Sequence, residues 1–232
     1  MACHLVAAGE CLAVDDLDGA LAHARHAAGR AGRVACVREA LGMVYYRQGE
    51  WAKALAEFRT ARRLSGSDHL LPALADVERG LGRPERAIEI SQSPEAAALP
   101  AAGQVDMAIV VSGARRDLGQ NAAAVEMLRA PAERARPSQP WAARLWYAYA
   151  DALLGVGRQD EARDFFARAA GADTANETDV AERLAELDGV TWTDLGEDEE
   201  PGGPEAGTAV PDLADASAPA AETPEGGSAD DV

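Results

Sequence analysis

The spacing of a few alanines restricts what this chain can fold into more than any other feature. Ala20, Ala54, Ala87, Ala124 and Ala162 follow one another at intervals of 34, 33, 37 and 38 residues. Around each lies a version of one pattern. Ala20 is followed by Ala24 and Ala27, Ala54 by Phe58 and Ala61, and Ala162 by Phe166 and Ala169, which is the spacing of one helix face. Ahead of the later four stands a glycine suited to a turn: Gly49, Gly82, Gly119 and Gly157. Before each turn another amphipathic stretch carries the large residues. In the clearest copy, 143–170, these are Trp146, Tyr149, Ala150 and Leu153. The second copy offers Leu41, Gly42 and Tyr45, the third Leu71, Leu74 and Ala75, the fourth Ala108, Val111 and Ser112. A self-similar period of this length marks units that cannot bury an apolar face alone and must stack.

The order of large, large-beside-small and large residues, then a turn, then small, aromatic, small, resembles the tetratricopeptide repeat, a helix pair of roughly 34 residues. The expected fold is all-α: a right-handed tetratricopeptide-repeat-like α-solenoid of about five helix pairs. A C-terminal helix over 178–187, with Val180, Leu184 and Leu187 on one face, would cap it. The segments 57–66, 71–87, 112–120 and 181–190 further resemble a family of uncharacterised actinobacterial tetratricopeptide-repeat proteins, over about residues 4–192. That resemblance implies a cytoplasmic location and protein binding, with no established activity attached.

Local signals predict where the helices begin and end. Helices are expected over 3–14, 17–29, 35–48 and 51–64, with Ser65-Gly66 as a stop. Ser67-Asp68 supplies an N-cap for a helix through Leu81, and Pro84 opens the next. Irregular stretches are expected over 91–103 and 130–140, accounting for the two longer intervals. Trp141 should open the clearest pair and Gly171 close it. The first helix starts beside Met1 without a capping segment, so its outer face is either exposed or covered by chain upstream.

Charge is unevenly distributed. The net charge is −17, but 12 acids and no base lie from Asp194 to the end, leaving 27 acids against 22 bases in the rest. The chain is therefore read as a repeat domain, 1–192, followed by an acidic disordered tail, 193–232. An acidic body without a basic block argues against nucleic acid as partner. No apolar run approaches the roughly 20 residues of a membrane span, and no secretory leader is visible. Cys3, Cys11 and Cys36 are odd in number and read as free or packing thiols in a reducing cytoplasm.

The sequence carries no glycine-rich phosphate loop, no Gly-x-Ser-x-Gly and no His-Glu-x-x-His, so no catalytic residue and no cofactor is assigned. Cys3, His4, Cys11, His23, His26 and Cys36 gather ligand-type side chains near the N-terminus. They support an alternative reading, a metal- or small-molecule-responsive regulator, although no Cys-x-x-Cys pair is present and packing cysteines with surface histidines fit as well. The main reading is a non-catalytic interaction scaffold whose first helices line a groove for a peptide or protein. By register, the groove face carries Glu39, Met43, Tyr46 and Arg47, then His69, Asp76 and Arg79, then Asp106, Ile109 and Arg116, and last Arg144, Tyr147 and Asp151. One arginine per repeat forms a ladder suited to carboxylates, which favours an acidic partner. Tetratricopeptide-repeat domains that clamp chaperone C-termini use asparagine and lysine on these faces; neither stands at the matching places here.

Overall fold

The computed structural model describes residues 1–176 and 178–189, so the predicted tail and the domain end at 192 lie outside the described residues. Among the described residues there are twelve helices and no strand. Five hairpins follow one another: α1 (Ala2–Ala13) with α2 (Leu17–Ala31), α3 (Ala35–Arg47) with α4 (Trp51–Ser65), and α5 (Leu71–Gly80) with α6 (Pro84–Ser91). After the single-turn α7 (Pro94–Ala97) come α8 (Ala101–Asp117) with α9 (Asn121–Arg134), and α10 (Ala142–Leu154) with α11 (Gln159–Ala172). A last helix, α12 (Val180–Leu187), packs on α11. Each second helix also packs on the first helix of the next pair, which makes a continuous stack.

The alanine spacing has a direct packing cause. Ala20, Ala54, Ala87, Ala124 and Ala162, each on the second helix of a pair, are all fully buried. Phe58 and Phe166, one turn on, are also fully buried, Phe58 against α3 and Phe166 against Tyr147 of α10. Gly42 shows how tight this is: a Cβ there would lie 2.6 Å from the Phe58 ring. The aromatic ring thus needs a residue without a side chain opposite it. In the first pair, Ala24 takes the place of the phenylalanine, and the buried residues of α1 and α2 are all alanines.

The turns repeat as closely as the cores. Gly49, Gly82, Gly119 and Gly157 all have φ between +70° and +77°, the left-handed region that glycine enters without steric cost. In each, the next residue's N–H reaches back five positions to a helix carbonyl: Glu50 to Tyr45, Arg83 to Glu78, Gln120 to Arg115, Arg158 to Leu153. This is the Schellman closure that satisfies the end of a helix. The first hairpin makes the same closure, Asp16 N–H to the Cys11 carbonyl, but the left-handed position is held by Asp15 at φ +58°.

Several expected boundaries are corrected. α5 begins at Leu71 with Pro72 in its first turn rather than at a Ser67-Asp68 cap, because Asp68 is taken by Arg62, at 2.6 and 2.8 Å. The stretch 91–103 contains α7, capped by the Ser93 hydroxyl, which accepts the Ala96 N–H at 3.1 Å. α9 continues through Pro131 to Arg134 although an irregular segment is expected from 130. A proline in the final turns removes only one hydrogen bond. The extension is held by buried Ala132, whose carbonyl accepts the Trp146 indole N–H at 2.9 Å. Gly171 lies inside α11, and Asp173 follows its end. The capping helix begins at Val180, and Thr178 instead bonds the Asp173 carboxylate through both its N–H and its hydroxyl.

Candidate functional site

The first helices α3, α5, α8 and α10 present one face each to a shared hollow. Its larger part, about 500 Å³, is bounded by Met43 and Tyr46 of α3, Ala73 and Asp76 of α5, and Ile109 of α8. A second part, about 320 Å³, continues past Arg116 to Tyr147 and Asp151. Arg79, Ile109 and Arg144 line both parts. All the groove residues expected from register therefore border this hollow except Glu39 and Arg47. Glu39 is attached to it through His69, 3.1 Å away, whereas Arg47 points to the first hairpin and pairs with Asp15 at 2.9 Å.

The expected ladder of open arginines is corrected by the ion pairs. Arg79 bonds Asp76 of its own helix and Asp117 of α8, each at 2.7 Å. Arg116 bonds Asp151 of α10, which also receives Arg183 of α12 at 3.5 Å. Arg144 bonds Asp106 at 3.0 Å. Every groove arginine thus holds a carboxylate of this chain, and a partner's carboxylate would have to displace it. An exposed pair of this kind contributes about 0–1 kcal/mol, so displacement is possible but gains little. A partner's carboxylate therefore meets no unpaired arginine among these four.

A sequence signal for these pairs exists. Arg79–Asp117, Arg116–Asp151, Arg144–Asp106 and Arg47–Asp15 are separated by 38, 35, 38 and 32 residues, close to one repeat. An acid about one period from each arginine faces it, from a neighbouring first helix or, for Asp15, from the turn of the first hairpin. The two tyrosines are tied down in the same way. Tyr46 donates to Asp76, and burial together with that carboxylate pushes its phenol pKa well up. Tyr147 is raised likewise by burial and a hydrogen bond to Asp179. Both stay protonated donors. Tyr147 also meets the edge of the Phe166 ring at 5.3 Å.

Arg79 owes its position to Gly113. The guanidinium lies against the α8 backbone there, and a Cβ on Gly113 would be 2.8 Å from its Nη1. Elsewhere, Glu78 places a carboxylate in the core beneath the outer face, where Arg59 reaches it at 2.9 Å and Arg83 at 3.4 Å. Sequence reasoning passed over both residues. Glu78 is marked only by arginines at 59, on the preceding helix, and 83, in the turn that follows.

The N-terminal cluster is built differently from expectation. Cys3 and Cys36 are exposed and Cys11 is half-buried, so these thiols do not fill the repeat interior. His4, His23 and His26 do meet: His4 Nδ1 and His23 Nδ1 are 2.9 Å apart, and the His4 and His26 ring centroids are 4.1 Å apart. Burial and the neighbouring His26 and His23 hold His4 below its usual pKa. Among the described residues no group of three or more histidine, cysteine or acidic side chains is arranged to hold a metal ion.

Residues 143–176 match the tetratricopeptide repeat. No curated protein matches the sequence. Among solved structures, a chain of the APC/C hetero-tetramer Cut9–Hcn1 is 18% identical, with a TM-score of 0.61 over 79% of this chain and 35% of that one. This protein thus spans about a third of that chain's length. The MamA protein is 18% identical over 76% of this chain and 95% of its own, with a TM-score of 0.49. YrrB, described as a TPR protein with an unusual peptide-binding site, is 18% identical over 79% and 90%, with a TM-score of 0.46. At these identities the likeness establishes the fold, a tetratricopeptide-repeat-like α-solenoid, and the Cut9–Hcn1 comparison carries it.

Proposed function

We propose that this chain is a non-catalytic scaffold that holds a segment of a peptide or protein partner against its first helices. The observation that carries this is the hollow itself. Four successive first helices contribute to two adjoining spaces that share Arg79, Ile109 and Arg144. Pockets of several hundred Å³ with an apolar lining and a few fixed polar groups are the usual form of a binding site. The related solenoid fold in a Cut9–Hcn1 hetero-tetramer is compatible with a protein partner, as an analogy of fold. The near balance of acids and bases outside the tail disfavours nucleic acid. Among the described residues no helix is long and apolar enough to cross a membrane. Three free cysteines and the resemblance to uncharacterised actinobacterial tetratricopeptide-repeat proteins support a cytoplasmic place of action.

The test is affinity capture with the immobilised full chain, read by mass spectrometry. Wild type is compared with a groove variant, Met43→Glu with Ile109→Arg, and with an outer-face control, Arg129→Ala. Proteins reproducibly retained by wild type and the control should be lost from the groove variant, whose helicity is checked by circular dichroism. Retention of the same proteins by a folded groove variant would overturn the reading.

A further inference from the structure

We infer that the larger part of the hollow takes a bulky apolar side chain of the partner, presented by a segment without net charge. This rests on the groove reading above and specifies its chemistry. α5 is the shortest of the five first helices, 10 residues against 12 to 17 in α1, α3, α8 and α10. The hollow of about 500 Å³ opens beside it. Its floor is apolar: Leu70 and Val110 are buried there, and Pro72 and Ala73 line the α5 side. Met43 overhangs it with 36% of its surface open, one of few large apolar side chains left exposed among the described residues. Apolar surface held in water favours a ligand that covers it.

The rim determines what can accompany such an anchor. Asp76 and Asp106 face Arg79 and Arg144, two charges of each sign already paired at 2.7 and 3.0 Å. Glu39 is likewise held by His69. No unpaired positive charge remains to attract an anion, and an acidic segment would have to break a pair before making its own. An uncharged segment breaks none, and its backbone can hydrogen-bond to the oxygen lone pairs the rim carboxylates retain. The complementary ligand is therefore a peptide with a Leu, Ile, Met, Phe or Trp anchor between uncharged neighbours.

Random-sequence peptides displayed on phage and selected on the full chain supply the probe. Enriched peptides are then synthesised and titrated by fluorescence anisotropy. They should share one large apolar residue at a fixed position, and replacing it by alanine should weaken binding about tenfold or more. Ile109→Arg should weaken binding as much, and so should Met43→Glu, whose exposed site leaves folding intact. Affinity should change little with salt. Enriched peptides that share acidic residues, lose affinity in salt and still bind both variants but fail on Arg116→Ala and Arg144→Ala would overturn the apolar anchor and leave the groove reading standing. Peptides indifferent to all four substitutions, or no enrichment, would overturn both.

Discussion

Glu78 carries a charge where a charge is costly. Its side chain is 3% exposed, yet it sits among Leu71, Leu74 and Val77 on α5. Arg59 from α4 and Arg83 from the following turn meet its two oxygens, so one carboxylate ties three segments together. Both arginines are more than half exposed and can return to water if the acid is removed. Glu78→Ala should therefore cost about 1–3 kcal/mol, the range for a hydrogen bond to a charged group plus lost packing. Urea unfolding checks this through a lower midpoint at unchanged slope. An unshifted midpoint would show that the buried carboxylate is only tolerated. Residues of this kind were poorly legible in the sequence. A glutamate on a helix reads as surface, and only its position between an arginine on the preceding helix and one in the following turn marks it as buried. The groove residues were read from register alone, and most border the hollow, but their ion pairs lie one repeat away, where helix-spacing rules do not look. Arg79 was recognised, whereas Gly113, which gives it room, was not, since a helical glycine has no local signal for what packs on it.

The helix hairpin is the unit in which sequence and structure agree best. A fully buried alanine in each second helix and a left-handed glycine at four of the five turns leave a periodic trace that survives drift in the other positions. The exceptions are informative. Asp15 occupies the turn position that glycine holds four times elsewhere, and so the first hairpin lacks the most visible marker. Gly119→Ala isolates the backbone cost, because nothing lies within 4 Å of a Cβ placed there. It should lower stability by about 1–2 kcal/mol, the cost of a left-handed residue with a side chain. Asp15→Gly should leave the denaturation midpoint unchanged or raise it, since strain is relieved while only an exposed pair with Arg47 is lost. A fall as large as that of Gly119→Ala would mean that the pair matters more than the turn. Pro131 gives the opposite lesson: a residue that breaks helices in isolation is carried within α9 by the buried contact between Ala132 and Trp146. Tertiary packing of that sort is invisible to a rule about single residues.

At the scale of the molecule, the described residues form a stack in which each repeat touches mainly its neighbours. The first helices do two jobs. Their ion pairs, Arg79–Asp117, Arg116–Asp151 and Arg144–Asp106, cross from one repeat to the next, and between those crossings they leave an apolar hollow. Charge in this groove is thus used to join repeats, and apolar surface is what remains for a partner. The most direct measurement of that claim is site-specific photo-crosslinking in the full chain. p-Benzoylphenylalanine is introduced in place of Ile109 or Tyr147 inside the hollow, and in place of Arg129 or Arg168 on second helices. Irradiation in cells should give partner adducts from the first two positions and none from the other two. Adducts confined to the second-helix positions would contradict the account.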